Sequence, residues 1–252
     1  QSKCSIVLWL RRVIFLGDLM PRMAFDIASV LVFNGADSIK FIDGLSSNKM
    51  DFENNVVIDT LVLNNKAKIL AQLHVFYLNN MLIAVAITDD KEKFIDYINN
   101  KILGQDISIS DVTQLNYIDL IYDVDIPEQQ VITNDKTTSV TINNSYILEI
   151  YSTTINRKPI TNDLTAFTDW RIANMIPWYG CEISGRVNPY QCGLNNQVHE
   201  NKGCYTGQEI LTRMRTRGKA ILYLKKIPNS MIKDQKISSY GSEMSLFLSR
   251  NQ

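Results

Sequence analysis

Between residues 56 and 104 the chain is punctuated in a way that few folds satisfy. Three apolar, β-branched runs, Val56 to Leu63, Ile69 to Leu78 and Met81 to Ile87, are set off by Asn64-Asn65 and by Asn79-Asn80. Runs of this length bounded by Asn pairs read as strands joined by tight turns. They stop at Thr88-Asp89-Asp90, where short polar side chains can accept from the free N–H groups of a first helical turn. The spacing then predicts a helix from about Lys91 to Leu103, with Phe94, Ile95, Ile98 and Ile102 on one face and Gly104 as its stop. Strands, a helix and then strands again call for an α/β sandwich on a mixed or antiparallel sheet.

The flanking segments fit that frame. Ser29 to Phe33 is a β-rich run ended by Asn34-Gly35, and Ala36 to Leu45 has helical spacing through Ile39, Ile42 and Leu45, with Gly44 near its end. Ile107-Ser108-Ile109 alternates like an edge strand. Residues 123–145 are polar and turn-rich and read as an excursion or hairpin between two halves, after which Tyr146 to Tyr151 is a strand. Thr161-Asn162-Asp163 opens a further helix that carries Trp170, Arg171 and Ile172 and stops before Pro177. Residues 178–203 are rich in Gly, Pro and Asn and form a long loop, of the kind that is usually functional or disordered. Gln208 to Arg217, ended by Gly218, reads as a last helix, and Ala220 to Ile227 and Glu243 to Leu248 as strands, with a turn at Tyr240-Gly241.

Composition excludes several classes. The 252 residues carry 26 Lys+Arg and 26 Asp+Glu, and 45% are hydrophobic. That is neither a disordered nor a collagen-like chain, and a chain of this length buries roughly 70–75% of its unfolded surface. Zero formal charge argues against a surface devoted to nucleic acid or membrane. No stretch approaches the ~20 apolar residues of a membrane span. At the N-terminus the apolar run Ser5 to Leu10 precedes Arg11 and Arg12, the reverse order for a secretory signal. Residues 1–24 read as an extension or a first strand, with a transit-like leader as the alternative. Cys4, Cys181, Cys192 and Cys204 form no Cys-x-x-Cys pair, which suits a reducing compartment. His74 and His199 are far apart in sequence, so no metal site is expected.

One segment carries chemistry. In Lys202-Gly203-Cys204-Tyr205-Thr206-Gly207-Gln208-Glu209, two glycines flank a Cys-Tyr-Thr at the end of the long loop, just before a helix. A helix N-terminus and the charge of Lys202 both favour a thiolate at Cys204; the alternative is a small buried hydrophobe. Glu209 and Arg213 are spaced i,i+4 in the stabilising order. From Lys202 to Lys226 there are seven basic residues, among them Arg213, Arg215, Arg217 and Lys219, against Glu209 alone. The cluster could meet a polyglutamate tail, an acidic protein or RNA, or be a solvated helix face. With only Tyr205 and Tyr223 nearby, an RNA-stacking platform is poorly supported and nucleic acid is not expected.

The eight residues from Lys202 to Glu209 resemble the K-G-C-[FY]-x-G-Q-E signature of the YgfZ family, folate-binding proteins of iron–sulfur cluster assembly or repair. Other pieces fall in the same order: Val32-Phe33-Asn34-Gly35-Ala36-Asp37, Ser47-Asn48, Ser110-Asp111-Val112, Arg171-Ile172 with Ile176-Pro177 and Tyr179-Gly180, and Arg217-Gly218-Lys219. The resemblance spans roughly residues 25 to 225. It implies an α+β aminomethyltransferase (T-protein) folate-binding fold, with residues 25–217 as two α/β halves around a central pocket and residues 218–252 as an abbreviated C-terminal β-barrel. It further implies tetrahydrofolate or a derivative as ligand, and iron–sulfur client or assembly proteins as partners. The implied compartment is the bacterial cytoplasm, or alternatively the mitochondrial matrix. The implied site is Cys204 as the reactive residue, with Lys202, Gly203, Tyr205, Gly207, Gln208, Glu209, Trp170, Arg171, Gln191 and Arg217 around folate. Trp170, Trp178, Tyr179 and Tyr190 could wall a flat pterin, plain core being the alternative for Trp170.

The chain departs from the related T-protein at its acids. The Gly-Gly-x-x-Asp-Asp turn of that transferase reads Ala67-Lys68-Ile69-Leu70-Ala71-Gln72 here, its R-[LV]-E-A-G helix reads Arg171-Ile172-Ala173-Asn174-Met175, and its P-T-E-A-G-L reads Pro189-Tyr190-Gln191-Cys192-Gly193-Leu194. Without those carboxylates aminomethyl transfer has no evident chemistry, although Gln191 could still hydrogen-bond a pterin edge. The expectation is therefore a non-transferase accessory factor. The alternatives are a folate-dependent one-carbon transferase or tRNA-modification enzyme, and a ligand-free scaffold for an assembly partner.

Overall fold

The computed structural model describes residues 20–52, 56–124, 130–134, 136–142, 145–161, 163–216 and 222–250. The elements are β1 Arg22–Ala24, β2 Ala28–Asn34, α1 Ser38–Leu45, β3 Ile58–Leu63, β4 Ile69–Leu78, β5 Met81–Ile87, α2 Lys91–Asn99, β6 Ser108–Asp111, β7 Asn116–Ile121, β8 Val131–Asn134, β9 Thr137–Ile142, β10 Tyr146–Ser152, α3 Leu164–Ala173, α4 Gln208–Thr216, β11 Tyr223–Pro228, β12 Ile237–Tyr240 and β13 Met244–Ser249. The strands form a five-stranded sheet in the order β3-β4-β5-β2-β6, a second in the order β1-β7-β10-β9-β8, and a three-stranded sheet in the order β11-β13-β12. Every pairing is antiparallel.

The first sheet is buried on both faces, which is why β3, β4 and β5 read as near-continuous apolar runs. Leu73, Val75, Ala84 and Ala86 face outward under α1 and α2, where they meet Phe41, Ile42, Phe94 and Ile98. Val30, Phe76, Val85 and Ile87 face the other way and meet Ile118, Leu120, Val140 and Leu148 of the second sheet. A third core forms under the long loop, where Ile183, Val187, Cys192, Leu194 and Tyr205 pack on Leu61, Leu63 and Ile69.

The caps explain the helix starts. Asp90 accepts from Lys93 N at 3.0 Å ahead of α2, and Asp163 accepts from Ala166 N at 2.9 Å ahead of α3. Helix α2 ends at Asn99, a turn before the expected Leu103. The two asparagines there are weak helix formers, and the chain continues in turns, with Ile102 N bonding to Asn99 O. The polar excursion contains the β8–β9 hairpin, and β6 lies at a sheet edge as its alternation implied.

Strands β7 and β12 went unread in the sequence, and residues 22–24, read as an extension or a first strand, form β1, which pairs with β7. Strands β1 and β7 carry buried charge in place of a clean alternation. Arg22 bonds Asp119 at 3.2 Å and Glu149 at 2.7 Å, all three being buried. Arg157 and Lys158, from the segment after β10, close the same cluster on Asp119 at 2.9 Å and on Glu149 at 2.8 Å. Residues 1–19, and with them Ser5 to Leu10, Arg11 and Arg12, lie outside the described residues. After α4 the strands β11, β13 and β12 form a three-stranded antiparallel sheet. Among the described residues no helix is long and apolar enough to cross a membrane.

Candidate functional site

A cavity of about 310 Å³ opens where the two large sheets meet the loop that follows α3. Its apolar walls combine the aromatic side chains of Phe25, Tyr146, Trp178 and Tyr179 with aliphatic ones such as Ile27, Ile87 and Leu194, and its polar lining includes Gln72, Asn174, Asn195 and Gln197. The Trp178 ring is set by Phe25 and Phe167, with centroids at 5.4 Å and 4.8 Å. Its backbone N–H donates to Glu182 Oε2 at 3.1 Å. Tyr179 is fixed by its hydroxyl, which donates to Leu70 O at 3.1 Å. Helix α3 ends in a turn in which Met175 takes φ +56°, a left-handed conformation costly for any residue but Gly or Asn. That turn delivers Asn174 and Met175 to the cavity wall.

Behind Tyr146 lies a buried polar chain. Asp59 and His74 are register partners on β3 and β4. His74 Nδ1 lies 2.7 Å from Asp59 Oδ1, and His74 Nε2 lies 3.4 Å from the Tyr146 hydroxyl. Burial, seconded by the negative charge of Asp59, pushes the Tyr146 hydroxyl up in pKa, so it keeps its proton at all ordinary pH.

The Lys202–Glu209 motif sits elsewhere. Lys202 sends its ammonium to the end of α1, where it donates to Asp43 Oδ1 at 3.0 Å, to Asn48 O at 2.7 Å and to the Asp43 carbonyl. Its charge is thus spent on Asp43 rather than offered to Cys204. Tyr205 packs into the loop core, and burial pushes its hydroxyl up to about 12. Gly207 takes φ +85° against the β3–β4 turn, where a Cβ would lie 2.8 Å from Asn64 O, so only glycine fits. Gln208 Nε2 donates to Lys202 O at 3.1 Å, closing the loop on itself. Gly203 and Cys204 are exposed. Cys204 stands four residues ahead of the first residue of α4, whereas the field of a helix end fades within its first turn. Glu209 and Arg213 make the i,i+4 pair at 3.7 Å on the surface.

The remaining described residues of the predicted site make packing and hydrogen-bond contacts within the fold. Trp170 stacks on Tyr122 and Phe167 at 5.3 Å and 5.9 Å. Arg171 is buried and pairs with Glu182 at 3.0 Å, and it donates to Ser239 Oγ. The same Glu182 accepts from Ser238 and Ser239, so the cluster ties α3 and the long loop to the C-terminal sheet. Gln191 trades hydrogen bonds with Asn188 at 3.0 and 3.1 Å. Arg217 and Lys219 lie outside the described residues. None of the described motif residues, nor Trp170, Arg171, Gln191 or Tyr190, lines the cavity, whereas Trp178 and Tyr179 do. Within the basic cluster Arg215 pairs with Glu200 at 2.9 Å, and Lys226 donates to the Ala173 carbonyl at 2.7 Å.

The sequence reading missed Tyr146 and Gln197 as cavity residues. Gln72 was noted only as a lost acid, yet it faces the cavity. Among the described residues no group of three or more His, Cys, Asp or Glu side chains could hold a metal ion.

Two five-stranded antiparallel sheets with a small C-terminal sheet, enclosing a central cavity, define an aminomethyltransferase-type fold. Among solved structures, the chain is similar to the glycine cleavage system aminomethyltransferase T from Bartonella henselae, with a TM-score of 0.68 and 11% identity over 91% of this chain and 78% of that one. The heterotetrameric sarcosine oxidase from Corynebacterium sp. U-96 matches at a TM-score of 0.36 and 9% identity, over 53% of this chain and 75% of that one. No family model and no curated protein matches the sequence.

Proposed function

We propose that this protein binds a reduced folate in the central cavity and acts as a non-transferase accessory factor in the assembly or repair of iron–sulfur clusters. The observation that carries the folate reading is the cavity itself: four aromatic side chains and a neutral polar lining, inside a fold shared with an aminomethyltransferase. Flat aromatic walls with a few placed polar groups suit a pterin. The neutral Gln72 at the cavity wall leaves no carboxylate there to stabilise cationic character at a folate nitrogen, which favours an accessory role over one-carbon transfer or tRNA modification. The iron–sulfur role rests on the Lys202–Glu209 signature, with exposed Cys204 available to a client or assembly protein in a reducing bacterial cytoplasm or mitochondrial matrix.

The test has two arms. Calorimetry with tetrahydrofolate should give a saturable signal, and none at about 1 mM ligand would remove folate from the account. Several iron–sulfur enzymes should lose activity in cells lacking the protein and regain it with the wild-type chain. Rescue by Cys204→Ser as complete as by wild type would take the thiol out of the role.

A further inference from the structure

We infer that the groove between α1 and the turn after α2 docks an acidic, partly apolar segment of a partner protein and so brings that partner to Cys204. The inference rests on the accessory role proposed for Cys204 and names the chemistry of the protein that the thiol meets.

The groove has a volume of about 480 Å³ and shares no lining residue with the central cavity. One wall is a face of α1 with Lys40, Phe41 and Gly44, and the other is the turn of Lys101, Leu103 and Gly104. Thr206 completes the lining. Cys204 is exposed and stands two residues ahead of Thr206, which keeps their Cα atoms within about 7 Å of each other. The bonds of Lys202 to Asp43 and Asn48 hold this loop at the end of α1.

Three observations point to the occupant. The first is charge. Among the described residues neither Lys40 nor Lys101 has a carboxylate partner, and Lys101 rests over the Tyr97 ring with Nζ 5.2 Å from its centroid. Asp37, the one acid in the lining, accepts from Asp106 N at 2.9 Å. An incoming carboxylate therefore meets two cations that the fold leaves unpaired. The second is apolar surface. Leu103 is 83% exposed, while Phe41 is buried, so the lining offers an aliphatic contact and no open aromatic ring on which a base could stack. That favours a peptide over a nucleic acid. The third is Gly44. It lies within α1, outside the left-handed region, and a Cβ placed on it would meet nothing within 4 Å. Glycine is disfavoured in a helix, and neither backbone conformation nor packing within the chain calls for it here. Bare backbone at this point admits the close approach of another chain.

The experiment uses the full chain. The probe is a short peptide of alternating Glu and Leu whose terminal cysteine carries a 2-thiopyridyl disulfide, with a Gln-for-Glu twin as the neutral control. The protein thiolate bonds to the peptide sulfur, the reagent's S–S bond breaks and thiopyridone leaves. Residue-resolved mass spectrometry reads the rates at Cys204 and at exposed Cys181. At low salt the acidic peptide should label Cys204 about fivefold faster than its twin, the effect of two exposed ion pairs, and should label Cys181 at the same rate. Lys40→Gln combined with Lys101→Gln should bring the Cys204 ratio close to unity. Gly44→Gln should hold the melting temperature at or above that of wild type, because Gln favours the helix, yet remove most of the acidic peptide's advantage. A wild-type ratio near unity, or one unchanged in the lysine variant or in a folded Gly44→Gln, would overturn the inference and leave the role of Cys204 to the rescue assay. Suppression of labelling by a single-stranded oligonucleotide as strong as by free acidic peptide would overturn the choice of partner. Complete rescue by Cys204→Ser would overturn the accessory reading whatever the ratio. The lysine variant decides alone if Gly44→Gln fails to fold.

Discussion

Lys202 Nζ lies 3.0 Å from Asp43 Oδ1, joining residues 159 apart in the chain. The same ammonium donates to the Asp43 carbonyl and to Asn48 O, so it caps the C-terminal end of α1, where a cation is favoured by the helix dipole. Its side chain is 1% exposed. The residue that looked like an activator of Cys204 is a strut that holds the Cys204 loop against the first sheet.

Lys202→Met should therefore destabilise the fold by about 2 kcal/mol, because it strands two carbonyls and a carboxylate. Asp43 is partly exposed, which keeps the ion pair itself a minor part of that cost. Urea unfolding measures it, and an unchanged midpoint would show that the strut bears no weight.

Arg171→Met should cost more, about 3–5 kcal/mol, since it leaves Glu182 buried with no counter-charge. Adding Glu182→Met should recover much of the loss. The single variant should also weaken folate binding, because Glu182 holds the backbone of Trp178. Denaturation and ligand titration on the same samples check both effects.

Of the three tryptophans, Trp178 lines the cavity and Trp170 does not. Ligand-induced quenching should survive Trp170→Phe and largely disappear in Trp178→Phe. The opposite pattern in fluorescence titrations would put the ligand outside this cavity.

Thiol labelling and alkaline stability should report the same buried groups. Cys181 and Cys204 are exposed and should alkylate in the folded protein, whereas buried Cys192 should wait for unfolding. Burial raises the Cys192 thiol from 9.0 to about 12, and raises the Tyr151 and Tyr205 hydroxyls from 10.0 to about 12. Between each pair of values the unfolded chain has lost a proton that the folded chain keeps. Stability should be whole below pH 9 and fall as pH climbs toward 12. Residue-resolved mass spectrometry and unfolding curves across that range test the two halves.

What the sequence determined by itself was local: the strands around Asn64-Asn65 and Asn79-Asn80, the edge strand after Gly104, and the helix starts at Asp90 and Asp163. These depend on side-chain period, turn residues and caps, which act within a few positions of one another. The cavity depended on something else. Gln72, Tyr146, Trp178 and Gln197 come from four separate segments and meet only because the two sheets pack face to face under the long loop. Strand β7 escaped notice because its central residue, Asp119, is a buried carboxylate whose cations come from 97 residues upstream and 38 downstream. No local rule marks such a position as interior. The Lys202–Glu209 motif was conspicuous for its glycines and its thiol, yet tertiary contacts with Asp43, Asn48 and Asn64 decide what it does. Partner choice for a buried polar group is settled by whichever atoms the packed chain brings within hydrogen-bonding reach, and that is a property of the fold.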